Sequence, residues 1–171
     1  MAKTKYYLAY GSNLHVAQMQ RRCPGAIAVG TAWLEGWRLA FRGSKTGAYL
    51  TIIPDSRART PVGVWKINAT HEQALDRYEG FPTFYSKETT QVHLTPLTAR
   101  GRARDIEAMV YIMAADRPRG VPSQYYVDVC SVGYDCFGFD KAPLLRAVSD
   151  ALNAVPRKPI KRTAEKKKVA G

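Results

Sequence analysis

Apolar and polar positions along this chain change rhythm several times, and each change marks an expected element. Residues 5 to 10, Lys-Tyr-Tyr-Leu-Ala-Tyr, predict a strand, and the Gly11-Ser12-Asn13 turn after it opens a helix expected from about Leu14 to Cys23, stopped by Pro24-Gly25. Four short β-rich runs come next: Ile27 to Leu34, Arg38 to Arg42, Ala48 to Ile53 and Val62 to Ile67. Gly36, Gly43-Ser44, Gly47 and Pro54-Asp55 separate them, which predicts consecutive strands of one sheet. Thr70 with Gln73 three residues on has the pattern of a capping box, Ala74 and Leu75 follow, and Gly80 and Pro82 place the helix end at Glu79. Ser86 to Leu94 and Glu107 to Met113 predict two more strands around a polar, basic hairpin, Thr98 to Arg104. A helix is expected from Ser123 toward Cys130. The last helix, with Asp140 as N-cap, carries Leu144, Leu145, Val148 and Leu152, with the i, i+4, i+8 apolar spacing of a one-sided helix.

The 171 residues and 46% apolar content suit one domain with one substantial core. That domain is expected over residues 1–155, followed by a basic tail over 156–171. No run approaches the roughly eighteen apolar residues that span a bilayer, and the first residues lead straight into a strand-like segment, so a cytoplasmic protein without a membrane partner is expected. Cys23, Cys130 and Cys136 show no Cys-x-x-Cys and no zinc-ligand spacing, which predicts free, mostly buried thiols. The net charge of +12 raises nucleic acid as a partner, but residues 156–171 hold seven basic side chains against Glu165, half of the whole excess. With Pro156, Pro159 and almost no apolar content after Ile160, the tail is expected to stay solvated and disordered. A weak, salt-sensitive contact with nucleic acid or an acidic partner is its alternative use.

Two places carry chemistry. A Gly-Ser-Asn turn between a strand and a helix can aim successive backbone N–H groups into one cavity, where an anion or a developing oxyanion fits. The same residues are ordinary turn and cap material, so the turn alone decides nothing. Glu79 stands in the last turn of its helix, against the negative end of the dipole, which disfavours its charged form. If Tyr78, Phe81, Phe84 and Tyr85 also exclude water, desolvation adds to that and leaves a carboxyl poised for proton transfer near neutral pH. The plain alternative is a solvated glutamate paired with Arg77 or Lys87. Ser12 with His15, His71 or His93 lacks the Gly-x-Ser-x-Gly elbow of a hydrolase. No metal spacing and no phosphate-binding glycine loop appears, so no cofactor is implied.

In combination these residues resemble the γ-glutamylcyclotransferase family. The likeness runs through Tyr7 to Leu14, the strand Val62 to Ile67, Leu75-Asp76-Arg77-Tyr78-Glu79-Gly80, Tyr85, Tyr111-Ile112-Met113 and Pro122-Ser123-Gln124-Tyr125, in the family's order. It implies an α+β fold, a small mixed β-barrel surrounded by helices with a substrate pocket at one end. It implies that the loop of Tyr7, Leu8, Ala9, Tyr10, Gly11, Ser12 and Asn13 binds substrate, that Glu79 is the catalytic general acid/base, and that Tyr85 and Tyr125 contact substrate. The implied reaction cyclises a γ-glutamyl group to 5-oxoproline and releases the amine, with a small-molecule γ-glutamyl substrate and no cofactor. The alternative is a non-catalytic binding module of the same fold, aided by the basic tail.

Overall fold

The computed structural model of the protein describes residues 4–44 and 47–154; the basic tail expected over 156–171 lies outside the described residues. Five strands close into a barrel in the order β1-β3-β2-β4-β5. β1 (Lys5–Ala9) pairs antiparallel with β3 (Gly47–Ile67) and parallel with β5 (Arg104–Met113), and this parallel pair closes a mixed barrel. β2 (Ile27–Ser44) runs antiparallel to β3 and to β4 (Tyr85–Pro96), and β4 is antiparallel to β5. The small mixed barrel with surrounding helices is the expected architecture. Among the described residues no helix is long and apolar enough to cross a membrane.

The four β-rich runs between Ile27 and Ile67 are two long strands. The register of β2 on β3 shifts between Ala28 and Gly30 and again between Glu35 and Trp37, where Trp37 pairs with Pro54. Glu35 pairs with Arg59 and Trp37 with Pro54, so Gly36 and Pro54-Asp55, expected as strand ends, mark a bulge in which Gly36 alone stands opposite residues 55–58, and the ladder resumes beyond it.

The helices depart from expectation mainly at their starts. Ser12–Leu14 form a 3-10 turn, and His15 then caps a shorter α1 (Val16–Arg22), its Nδ1 accepting the N–H of Gln18 at 3.4 Å. α2 (Ala69–Glu79) is capped by Asn68, with His71 completing the capping box in place of the expected Thr70 and Gln73. Its end is as expected, with Gly80 in the left-handed conformation (φ 65°) just past Glu79. α3 (Gln124–Phe137) is capped by Ser123 and runs well past Cys130. Asp140 accepts the N–H of Ala142 at the start of α4 (Ala142–Ala154), which packs on β2. That helix buries Leu144, Ala147 and Ala151, while Leu145 and Leu152 face outward.

The core fills the barrel and the seam under α3, with Leu8, Leu14, Leu50, Trp65, Tyr111 and Tyr134 among its fully buried side chains. Burial of an aliphatic side chain of this size contributes about 1.5–3 kcal/mol. Cys23 and Cys130 are buried free thiols and Cys136 is an exposed one. α3 crosses directly over the 3-10 turn because residue 133 is glycine: a Cβ there would lie 2.6 Å from Leu14 Cβ and 2.8 Å from the His15 backbone nitrogen. That close crossing carries the first turn of α3 to the mouth of the barrel.

Candidate active site

The outer face of α2 is clamped to the barrel by charge. Lys87 Nζ lies 2.8 Å from Glu72 Oε1 and 3.0 Å from Asp76 Oδ1, Lys5 joins Glu72, and the Tyr111 hydroxyl donates to Asp76 Oδ1 at 2.6 Å. With α2 held in this way, its last residue, Glu79, meets the turn after β1. Asn13 Nδ2 donates to Glu79 Oε1 at 3.0 Å and to the Tyr7 hydroxyl at 2.9 Å. The other end of the Asn13 amide, Oδ1, accepts Arg22 Nη1 at 2.7 Å. A guanidinium can only donate, so Arg22 dictates which end of the amide is oxygen and turns the NH2 toward Glu79.

Glu79 and the turn open onto one cavity of about 250 Å³, with Tyr7, Tyr10, Gly11, Ser12 and Asn13 on one side and Tyr85, Tyr111 and Tyr126 among its other walls. It falls below the roughly 300 Å³ at which drug-sized pockets begin, a size for one amino-acid unit. Its hydroxyls are fixed by the barrel: Tyr10 donates to the Tyr111 carbonyl at 2.6 Å and Tyr85 to the Leu50 carbonyl at 2.8 Å, while Tyr126 accepts the Leu50 N–H at 3.2 Å. Ser12 Oγ lies 3.1 Å from the Tyr78 hydroxyl.

Protonation sorts these groups by role. Burial pushes the Glu79 carboxyl up to about 7, and the nearby Arg22 charge and the Asn13 hydrogen bond only partly counter it. Burial also raises Tyr7, Tyr10, Tyr85 and Tyr126, with the Glu79 charge adding to each, so all four stay neutral at physiological pH. Among the described residues the cavity thus holds a single carboxyl, titrating near neutrality, inside a ring of fixed neutral hydroxyls.

Of the residues expected at a site, Tyr7, Tyr10, Gly11, Ser12, Asn13, Glu79 and Tyr85 border the cavity. Leu8 and Ala9 are instead packed in the barrel core. Tyr125 is 73% exposed and stands outside the cavity, while its neighbour Tyr126 is in the wall. The reason is the face α3 buries, Val129, Cys130, Gly133, Tyr134 and Phe137: Tyr126 lies one turn before Val129 and Cys130 on that face, and Tyr125 is about 100° away around the helix. That spacing is visible in the sequence and is the signal that separates the two tyrosines. Phe81 sits outside the cavity under Lys87 Nζ, 4.3 Å from its ring centroid. Arg22 gives no local signal, because only the folded turn brings it to Asn13. All three histidines have other employment: His15 caps α1, His71 caps α2 and joins the Pro24 carbonyl at 2.9 Å, and His93 pairs with Asp105 on the exposed hairpin. Ser12 has Tyr78 rather than a histidine at its oxygen, and Lys87 has Glu72 and Asp76 rather than Glu79.

Comparison with known proteins bears on this geometry. The family model described as gamma-glutamyl cyclotransferase, AIG2-like, matches residues 7–128. No curated protein matches the chain. Among solved structures it is similar to one described as a gamma-glutamyl cyclotransferase, at 24% identity over 93% of this chain and 92% of that one, with a TM-score of 0.69. It is also similar to an uncharacterized protein from Homo sapiens, at 25% identity over 92% and 90% of the two chains and a TM-score of 0.64. An AIG2-like protein from Mus musculus shares 15% identity over 72% of this chain and 82% of its own, with a TM-score of 0.52. These likenesses carry the barrel and its helices.

Proposed function

The chain belongs to the gamma-glutamyl cyclotransferase, AIG2-like family, and from that premise we propose that it cyclises the γ-glutamyl group of a γ-glutamyl amino acid or amide to 5-oxoproline, with Glu79 as general acid/base. The observation that carries this reading is the Glu79 carboxyl in one cavity with the Gly11-Ser12-Asn13 turn, held by Asn13 and titrating near neutrality. A γ-glutamyl substrate brings its own nucleophile, so no serine or cysteine is required.

The α-amine of the substrate, with a reference pKa of about 7.7–8, is mostly protonated at pH 7. Glu79 takes one of its protons, and the freed nitrogen attacks the γ-carbonyl carbon, closing the five-membered ring through a tetrahedral oxyanion. The same carboxyl then returns its proton to the amide nitrogen, the carbon–nitrogen bond breaks, and the ring nitrogen gives up its second proton through Glu79 to the departing amine, so that 5-oxoproline and the protonated amine result. Amides of the Gly11-Ser12 turn meet either the oxyanion or the α-carboxylate. Because nucleophile and electrophile share one molecule, the tyrosine walls mainly hold the chain in its ring-closing pose, an orientation effect that reaches about 7–11 kcal/mol in the best cases. Incubation with γ-glutamyl amino acids, γ-glutamylamines and glutathione tests the reading: release of 5-oxoproline from at least one supports it, and a folded protein that releases none from any of them overturns it.

The turn has its own test. A Cβ on Gly11 would lie 3.1 Å from the Tyr126 hydroxyl and 3.5 Å from Leu50 Cβ, so Gly11→Ala presses on one cavity wall. A displacement of a few tenths of an ångström at the reacting groups is expected to lower kcat/KM about tenfold. Stability should change by less than about 1 kcal/mol, since the loss of unfolded-state entropy offsets part of the crowding. Unchanged kinetics would speak against a ligand held at that turn.

A further inference from the structure

Beside the cavity, on the other side of Ser12 and Tyr78, lies a more open space of about 500 Å³, a vestibule. Ser12, Tyr49, Tyr78 and Tyr126 belong to the walls of both spaces, which places them side by side. The outer space adds Gln18, Arg21 and Arg22 from α1 and Ser123, Tyr125 and Val129 from α3. Among the described residues no aspartate or glutamate lines it; Asp128, on the same helix, is held by Gln124 at 2.7 Å and is not part of the wall.

The two arginines are differently placed. Arg22 is committed: Nη2 donates at 2.8 Å to both Gln18 Oε1 and the Tyr78 hydroxyl, and its guanidinium lies 3.7 Å over the Tyr78 ring. Arg21 is exposed on the same wall, with no hydrogen-bond or ion-pair partner among the described residues. A γ-glutamyl unit bound between the turn and Glu79 occupies the inner cavity, and the vestibule is the adjoining space open to the group attached to its amide nitrogen.

We propose that the vestibule is the leaving-group subsite and that it selects amines carrying a carboxylate, an amino acid or a short peptide, with Arg21 as the docking charge. This rests on the cyclotransferase reading above and adds the class of amine released. An exposed guanidinium offers a carboxylate paired, charge-assisted N–H donors in a planar fork. A cationic amine would instead meet two guanidiniums and no carboxylate. The site is open to solvent, so its preference is moderate and weakens as salt screens it.

γ-Glutamylalanine and γ-glutamylethylamine differ only in the carboxylate of the leaving group and make the test pair. Two readouts are used: kcat/KM for 5-oxoproline release by the wild-type protein, and calorimetric binding to the Glu79→Gln protein. About a tenfold preference for γ-glutamylalanine is expected at low salt, carried by KM rather than kcat and shrinking in about 0.5 M salt. Arg21→Gln should bring the ratio close to one in both readouts, and Arg21→Lys should restore part of it. A wild-type ratio near one, or a ratio that survives Arg21→Gln, overturns the subsite. If neither compound releases 5-oxoproline but the binding ratio and its loss in Arg21→Gln hold, the chemistry fails and the carboxylate site stands; binding of neither compound overturns both.

Discussion

Glu79→Gln is expected to abolish 5-oxoproline formation, lowering kcat by about 10³-fold or more while the fold and substrate binding persist. General acid/base groups contribute about 10²–10⁴-fold, and this one would act twice, on the attacking amine and on the departing nitrogen. Glutamine keeps the oxygen that accepts from Asn13 Nδ2, so the local geometry has no reason to change. The pH profile should carry the same signature. Ring closure needs one proton shared between Glu79 and the substrate amine. The kcat/KM of the wild-type protein should therefore rise as Glu79 ionises at about 7 and fall above about 8, where that proton is lost. Near-wild-type turnover by Glu79→Gln, or a rate that stays flat down to pH 5, removes Glu79 as the base.

The second large effect is on stability, and its sign follows from the direction of the same shift. Burial raises the Glu79 pKa from 4.5 to about 7, so between those values the folded protein binds a proton that the unfolded chain has already released. Stability is full below pH 4.5 and falls as pH rises, levelling off above about pH 7 as the remaining Glu79 carboxyls ionise. A shift of this size corresponds to about 3 kcal/mol. Glu79→Gln removes the ionisation, so the variant should match the wild-type protein in urea unfolding near pH 4.5 and exceed it by up to about 3 kcal/mol near pH 8. The other carboxylates titrate in both proteins and cancel in the difference. An equal difference at the two pH values would mean that Glu79 is not desolvated in solution.

Both predictions depend on a position that was partly legible in advance. The end of α2 at Glu79 followed from Gly80 and Pro82, and Gly80 supplies the left-handed C-cap, a local backbone requirement. The start of that helix did not follow. Thr70 with Gln73 and Asn68 with His71 both have cap-like spacing, and what favours the second is a contact 47 residues away, His71 Nε2 on the Pro24 carbonyl. Likewise Gly36 and Pro54-Asp55 interrupt local β-pattern in the same way whether a strand ends or bulges; the pairing of Trp37 with Pro54 across the ribbon decides. Tyr126 could have been preferred to Tyr125 by projecting α3 onto its buried face, whereas Arg22 could not have been found.

The sequence by itself determined the kinds of elements, the tight turn after the first strand and the acid that ends α2, because each follows from spacing and backbone preference over a few residues. Only the tertiary structure decided what that acid experiences. Closing β1 onto β3 and β5 brings Asn13 to Glu79 across 66 residues, and Arg22 then orients the amide. Desolvation and hydrogen bonding act through space over a few ångströms, so a carboxyl's proton affinity belongs to the neighbours the barrel assembles rather than to the residues beside it in the chain.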